Sequence, residues 1–543
     1  MIIDNNEIKN KNINSLEYVN EHWTLYLEGF LYIDGKISGI DSLKYFVELL
    51  NKIGLEKSIL KLRGNYFLHL ENKIDKIKYS FIDSNGLYKV FYNNSHISTD
   101  FDKIIDHSKD NDLSINSLSI VELFHYGKTS KDNTLFNGIN KLQYNEIILN
   151  IDGGKNEIQK KNIPEIYDAL DDFDLNFYFK NLAFALQNYK VSLDLTGGMD
   201  TRMLAVILDH YNLDFEVAIS GYDGHPDVEI AKKVAKSLGK ELKVSYHNLD
   251  NIENELEELC ELVDYSTNIF SHHRLLQLQR DRISRGYNMV ISGSGDIMSD
   301  NIWLQDFPFY GIKKPNIPKL FDYRFISLNQ KHDYLMQPFK NISLSYRETI
   351  IAKLLKFSLD NNTKTYDYIQ HRYRMQETIG RSISNNMKFI HTYTPLMELD
   401  ILRYGFQFPI RKRLFNNFQK QIISKLNPKV SVIKTTENGV TASTKFEYFS
   451  VDLIKFFIDR GKRALNQVSR KILNKNFTPP IADISELNSF QKKYIIENKV
   501  LKHFRDLNII SDSVNFSNLE PRYYGNIITV SLFLKRFNSY PIN

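Results

Sequence analysis

Short apolar and aromatic runs broken by turn residues dominate the first 150 positions. Trp23 to Ile33, Asn65 to Leu70, Lys78 to Ile82 and Tyr88 to Tyr92 each read as strands, with Asp34-Gly35 and Ser84-Asn85-Gly86 supplying turns. Between about Gly153 and Asp174 the pattern gives way to a Gly-Gly pair, a Lys-Lys pair, Pro164 and an acidic cluster. That composition predicts an interdomain linker, and we place the boundary near residue 165.

Beyond it the rhythm becomes strand, turn, helix. Val191 to Leu195 reads as a strand, Thr196 to Asp200 as a Gly-containing turn, and Arg202 to Tyr211 as a helix with Leu204, Ile207 and Leu208 on one face. A second strand is expected at Phe215 to Ser220. The helix after it is expected to start at Asp227 as N-cap, to carry Val228, Ala231, Ala235 and Leu238 on one stripe, and to stop at Gly239. Strands at Glu241 to Tyr246 and Met289 to Ser292 enclose helical segments around Ile252 to Val263 and His272 to Arg285. Repeated βα units with short loops imply a parallel sheet flanked by helices. From about residue 345 the pattern is mainly helical, without a fixed-period repeat.

Composition narrows the function classes. A chain of 543 residues at about 150 per domain predicts two to four domains. With 42% hydrophobic and 25% charged residues it is globular rather than disordered. A net charge of +5 is too small to mark a nucleic-acid partner. The lone Cys260 excludes an intrachain disulfide and a thiolate metal cluster. The first residues lack the basic and apolar regions of a signal peptide, and no apolar run reaches about 18 residues, so a soluble, cytoplasmic protein without a membrane partner is expected.

Two loops carry the candidate chemistry, because ligands of an open parallel sheet bind at the carboxyl ends of its strands. In Leu195-Thr196-Gly197-Gly198-Met199-Asp200-Thr201 two glycines let the backbone approach an anion, two hydroxyls can donate to it, and a helix N-terminus adds favourable charge. Asp200 would repel phosphate unless Mg²⁺ bridged them, which directs attention to Asp296 in Gly293-Ser294-Gly295-Asp296 as a second carboxylate. The alternative for each loop alone is a tight turn with an ordinary turn residue. Neither a G-x-x-x-x-G-K-[ST] loop nor, in the first βα unit, a G-x-G-x-x-G fingerprint is present.

The Thr196 to Thr201 loop resembles the S-G-G-x-D-S pyrophosphate loop of the asparagine synthetases and their relatives, the β-lactam synthetases and amide-forming cyclases. Further segments resemble the same family in the same order. They are Leu62 to Phe67, Asp83 to Tyr88, Asn133 to Leu142, Pro226-Asp227 with Ala231 and Ala235, Ile291 to Asp296, and Tyr393 to Asp400. The resemblance implies an α+β N-terminal Ntn-hydrolase, or glutaminase-like, domain over residues 1–165. It implies an α/β ATP-pyrophosphatase domain of the adenine nucleotide alpha hydrolase type over 166–445, with a helical C-terminal extension over 446–543. It also implies an AMP-forming ligase that uses ATP and Mg²⁺ to adenylate a small-molecule or glycan carboxylate and passes it to ammonia or an amine.

Carried over by position, Thr196, Gly197, Gly198, Asp200 and Thr201 would hold the phosphates, and Asp200 and Asp296 the metal. Leu195, Ser220, Ser292 and Gly293 fall where family members contact adenosine. Lys434, followed by Gly439, falls near the lysine that the family uses on the phosphates and the developing charge; an ordinary solvated lysine is the alternative. Arg202 could reach a phosphate or the substrate carboxylate bidentately.

The sequence departs from the family in places. Position 2 is Ile2 where glutamine-hydrolysing members expose cysteine, and Cys260 reads as a small core residue. The N-terminal domain is therefore expected not to hydrolyse glutamine. Gly295-Asp296-Ile297 is one residue shorter than the family's G-x-D-E and lacks its glutamate. Glu377 and Arg381 read as an exposed i,i+4 pair rather than pocket residues. His272-His273 is not at metal-ligand spacing. Arg460, Lys462, Arg463, Arg470, Lys471 and Lys475 read as a solvated basic face. A catalytically silent scaffold or regulatory subunit is the competing reading, and a homodimer is left open.

Overall fold

The computed structural model describes the chain apart from residues 1, 5–6, 10–14, 109–112, 152, 296–314, 325–329, 360–363, 437–438, 447, 449, 456, 459–460, 462–464 and 466–481. Asp296 and the basic residues Arg460, Lys462, Arg463, Arg470, Lys471 and Lys475 lie outside the described residues.

Up to residue 160 the sheets are antiparallel. One has six strands, built around the pairing of Trp23–Ile33 with Leu62–Asn72, and a second has five, including Ile2–Asp4 and Phe91–Tyr92. Long strands form where bulky apolar residues alternate with residues that face the second layer, and Leu25, Leu27, Leu68 and Leu70 are buried under the helix Ile40–Ile59. The strand expected over Tyr88 to Tyr92 shrinks to Phe91–Tyr92, because the amides of Leu87 and Tyr88 are taken by the Asp83 carboxylate, which holds the chain in a turn.

A mixed α/β arrangement follows. Five parallel strands lie in the order Leu242–Tyr246, Phe215–Gly221, Val191–Asp194, Met289–Ile291, His391–Tyr393. The first strand is central, and succession reverses direction between Val191–Asp194 and Met289–Ile291. That is a topological switch point, where a crevice opens beyond the carboxyl ends. The helices Asp200–His210 and Pro226–Ser237 bury Met203, Leu204, Ile207, Val228 and Ala231 against the sheet. The second helix starts earlier than expected: His225 is its N-cap, its Nδ1 accepting from the Asp227 amide, which leaves the Asp227 carboxylate for another partner. The segment expected to be helical over Ile252 to Val263 is helical only at Leu256–Leu262, since the residues before it close i,i+3 turns.

Two of the family-like segments, Leu62 to Phe67 and Tyr393 to Asp400, meet at a seam between the antiparallel layers and the parallel sheet. Arg63 pairs with Asp34 and Asp400, the Gly64 amide donates to Glu398, and the Thr394 amide donates to Asn65. Gly64 is required there: its φ is +123° and a Cβ would stand 2.1 Å from the Phe30 carbonyl oxygen. Tyr393 donates to Glu398 at 2.9 Å and shares a hydrogen bond with Tyr178 at 2.8 Å. Burial of this group pushes the Glu398 carboxyl up to about 7, against the opposing pull of Arg63.

The chain end returns to the first half. The helix Tyr524–Arg536 shares a core with Ile120, Phe124 and Phe136, and the amides of Ile115 and Ser117 donate to the carbonyls of Pro541 and Asn543. Cys260 lies in the same core, and burial raises its thiol pKa. Among the described residues no helix is long and apolar enough to cross a membrane.

Candidate nucleotide site

The Thr196 loop leaves the central strand at the switch point. Its geometry comes from internal bonds. The Thr196 amide donates to the Thr201 hydroxyl at 3.1 Å, the two threonine hydroxyls lie 3.1 Å apart, and the Gly198 amide donates to the Thr196 hydroxyl at 3.2 Å. The helix Asp200–His210 then begins with Met199 at its N-cap and no side-chain cap. Its positive end therefore faces the loop uncovered by the residue that would ordinarily cap it.

Gly197 is held from two sides. Its amide donates to Asp227 Oδ1 at 3.1 Å, and its carbonyl accepts from the Thr436 amide at 3.2 Å. The Thr436 hydroxyl donates to the same carboxylate oxygen at 2.9 Å. A Cβ on Gly197 would meet Thr436 Cγ2 at 2.5 Å and Asp227 Oδ1 at 2.7 Å, so any larger residue would push both side chains out of these hydrogen bonds.

Arg202 is fully buried, and its guanidinium faces backbone. It donates to the carbonyls of Ile433 at 2.6 Å, Lys434 at 3.1 Å and Gly197 at 3.4 Å, tying the loop to the turn that carries Lys434. In this arrangement it positions the loop; a bidentate contact to an anion would require giving up these bonds. Lys434 bridges to Thr441, and its side chain is exposed beside the loop. Asp200, on the first helical turn and partly buried, accepts from Gln419 Nε2 at 2.9 Å.

The remaining positions line the same edge. Leu195 is buried and its amide donates to Ala218, two residues before Ser220 at the end of the neighbouring strand. Ser292 donates its amide to Tyr393, and Gly293 packs so tightly on the helix start that a Cβ would lie 2.5 Å from Thr201 Cγ2 and 2.9 Å from its amide nitrogen. Asp296, the expected second carboxylate, lies outside the described residues, so the structure describes its loop only as far as Gly295.

Asp227, Thr436 and Gln419 belong to this cluster and are not among the site residues expected from the sequence. Asp227 was masked by its place in a helix-start pattern. Nothing in the sequence pattern marks the other two, whose contacts reach across 209 residues to Asp227 and 219 residues to Asp200.

Glu377 and Arg381 overturn the expectation of an exposed pair. Both are 5% exposed, on the helix Gln376–Asn386 packed against the antiparallel layers. A helix face that reads as polar in sequence is here covered by the first half of the chain.

A central loop with two glycines, two convergent hydroxyls and a helix start without a side-chain cap lies at the switch point of a parallel sheet, an arrangement whose free dipole and donors would favour an anion. The chain is similar to the NH(3)-dependent NAD(+) synthetase of Sulfurisphaera tokodaii, with 28% identity over 123 residues. That stretch is 22% of this chain and 43% of the relative, so the chain spans less than half the length of the curated protein it matches. No family model matches the chain.

Proposed function

We propose that the protein is an ATP-dependent, AMP-forming carbon–nitrogen ligase of the asparagine synthetase-like kind, adenylating a carboxylate and transferring it to ammonia or an amine. The observation that carries this reading is the uncapped start of the helix Asp200–His210 facing the Thr196 and Thr201 hydroxyls at the switch point. Similarity to a synthetase whose name records ammonia dependence supports the same reaction class.

The residues fit a triphosphate. Thr196, Gly198 and Thr201 supply hydroxyl and amide donors, and Asp200 would be the carboxylate that holds Mg²⁺, with Asp296 as the further ligand expected from sequence. Bound ATP and Mg²⁺ would supply an activated phosphoryl centre and a pyrophosphate leaving group. Leu195, Ser220, Ser292 and Gly293 form the strand-end edge against which an adenosine would lie. Lys434 contributes positive charge where charge develops, and Arg202 keeps its turn in register with the loop. The antiparallel sheets serve as a glutaminase-like platform without glutaminase activity, because the chain's single thiol is buried in a helix whose surroundings favour its protonated form.

ATP–pyrophosphate exchange across a panel of carboxylates tests the reading. Exchange with at least one carboxylate, lost by at least a hundredfold in Asp200→Ala, is expected. Equal exchange by that variant overturns the assigned site. Absence of exchange with every carboxylate, with ATP still bound, favours the silent scaffold.

A further inference from the structure

A cavity of about 40 Å³ lies between the antiparallel layers and the helix Gln376–Asn386, lined among others by Lys89, Lys131, Lys141, Gln376, Glu377 and Arg381. Its residues come from four separated segments: the chain after the Asp83 turn, the loop before Asn133, the short strand Asn140–Lys141, and one face of that helix. Immediately before Gln376 the helix widens into a π turn over Gln370–Met375, a local distortion that recurs at functional sites.

Among the described residues four cationic side chains line this space with a single carboxylate, and that carboxylate is committed. Glu377 Oε1 accepts from the Lys131 amide at 2.6 Å, and its Oε2 stands 3.5 Å from Lys128. Asp264, behind Lys89, is shared between Lys89 and Lys388. Glu122 accepts from the Ser130 amide and from Asn133. Burying like charges together is unfavourable unless a counter-ion joins them. Burial, with Arg381 and Lys89 adding repulsion, pulls Lys141 down to about 7.

The donors left over select the counter-ion. Arg381 spends its guanidinium on the carbonyls of Ser266 and Thr129, so it supplies field but no fork for a planar carboxylate. Among the described residues Lys141 donates one hydrogen bond, to the Asn133 carbonyl at 2.6 Å, and Lys131 donates one, to the Arg372 carbonyl at 3.2 Å, while also lying over the Tyr144 ring. An ammonium has three donors, which suits a tetrahedral oxyanion held by point charges. Gln376 adds a complementary need. Its Nε2 donates to the Asn85 carbonyl at 2.5 Å, while its Oε1 is buried without a partner in a residue 7% exposed. An occupant that both accepts from Lys131 and Lys141 and donates one hydroxyl to Gln376 would complete these three side chains. Hydrogenphosphate does so; sulfate lacks the hydroxyl. The volume is roughly three waters' worth, which matches so small an ion.

We propose that this interlayer cavity is a binding site for inorganic phosphate, distinct from the Thr196 loop. The site does not depend on the ligase reading.

Calorimetric titration of the full chain with inorganic phosphate tests it, with sulfate as the matched anion. Saturable phosphate binding is expected, with sulfate weaker by about tenfold for want of one hydrogen bond to a buried acceptor. Lys141→Met should weaken phosphate by tenfold or more. Lys131→Gln, at a partly exposed position, gives the same readout should the first variant fail to fold. Thr196→Val, which alters the other anion site, should leave the affinity unchanged. Unchanged affinity in the folded lysine variants, loss of binding in Thr196→Val instead, or no saturable binding by the unaltered chain at 10 mM phosphate (roughly the weakest affinity worth counting as a site) overturns the proposal.

Discussion

The carboxylate of Asp227 accepts a hydrogen bond from the Gly197 amide at 3.1 Å, so the glycine loop carries an internal acidic partner on one of the donors that a phosphate oxygen would use. An anion entering the loop must either displace Asp227 or approach with a cation that screens it. Asp227→Asn therefore separates the two demands. Expected is a gain of about three- to tenfold in ATP affinity without Mg²⁺, with a smaller stimulation by Mg²⁺ than in the unaltered chain, since about 1 kcal/mol of repulsion is removed at a partly buried site. Fluorescence titration with a nucleotide analogue, with and without the metal, measures both.

Two adjacent glycines differ sharply in what they tolerate. A Cβ on Gly197 collides with Thr436 and Asp227, whereas one on Gly198 meets only the Thr196 hydroxyl, at 3.4 Å. Gly197→Ala should lower stability by about 1–3 kcal/mol and abolish measurable nucleotide binding, and Gly198→Ala should cost less than about 1 kcal/mol. Chemical denaturation of both variants side by side checks the contrast.

Arg202 is fully buried and reaches three carbonyls on two segments. Lysine cannot present the same planar fan of donors, so Arg202→Lys should destabilise by about 2–4 kcal/mol and loosen the 433–436 turn. Faster amide exchange at Thr435 and Thr436, beyond the global loss of stability, is the mark of a positioning role. Exchange that rises uniformly over the chain would contradict it.

Glu398 gives a pH signature. Its folded-state value of about 7 stands above its ordinary value of 4.5, so the folded chain binds the proton more tightly than the unfolded chain. Its contribution to stability is fully present below about pH 4.5, declines as the pH rises, and is lost above about 7. Glu398→Gln should lack this slope, a difference of at most about 3 kcal/mol between pH 4.5 and 8. Denaturation midpoints across that range report the slope, whatever fixed cost the substitution carries.

Much of the second half was legible because its elements are local. Strands at 191, 215, 242 and 289 have the apolar runs of a buried parallel sheet, and the Thr196 loop carries its glycines and hydroxyls within six residues. The fifth strand, His391–Tyr393, was not read as a strand, since three residues give no periodicity and their pairing partner is 102 residues away. The N-cap of the helix Pro226–Ser237 is His225 and not the expected Asp227, because His225 uses a ring nitrogen in a role usually filled by a hydroxyl or carboxylate.

The sequence by itself determined four strands of the parallel sheet and the glycine loop after the central one, because periodicity and glycine placement are set by interactions within a few residues. Tertiary structure decided what those residues face. It turned Arg202 onto backbone carbonyls, set Asp227 against Gly197, and buried Glu377 and Arg381 under chain more than 200 residues earlier. Such contacts depend on which surfaces pack together, and burial changes the free energy of a charged group far more than its neighbours in sequence do.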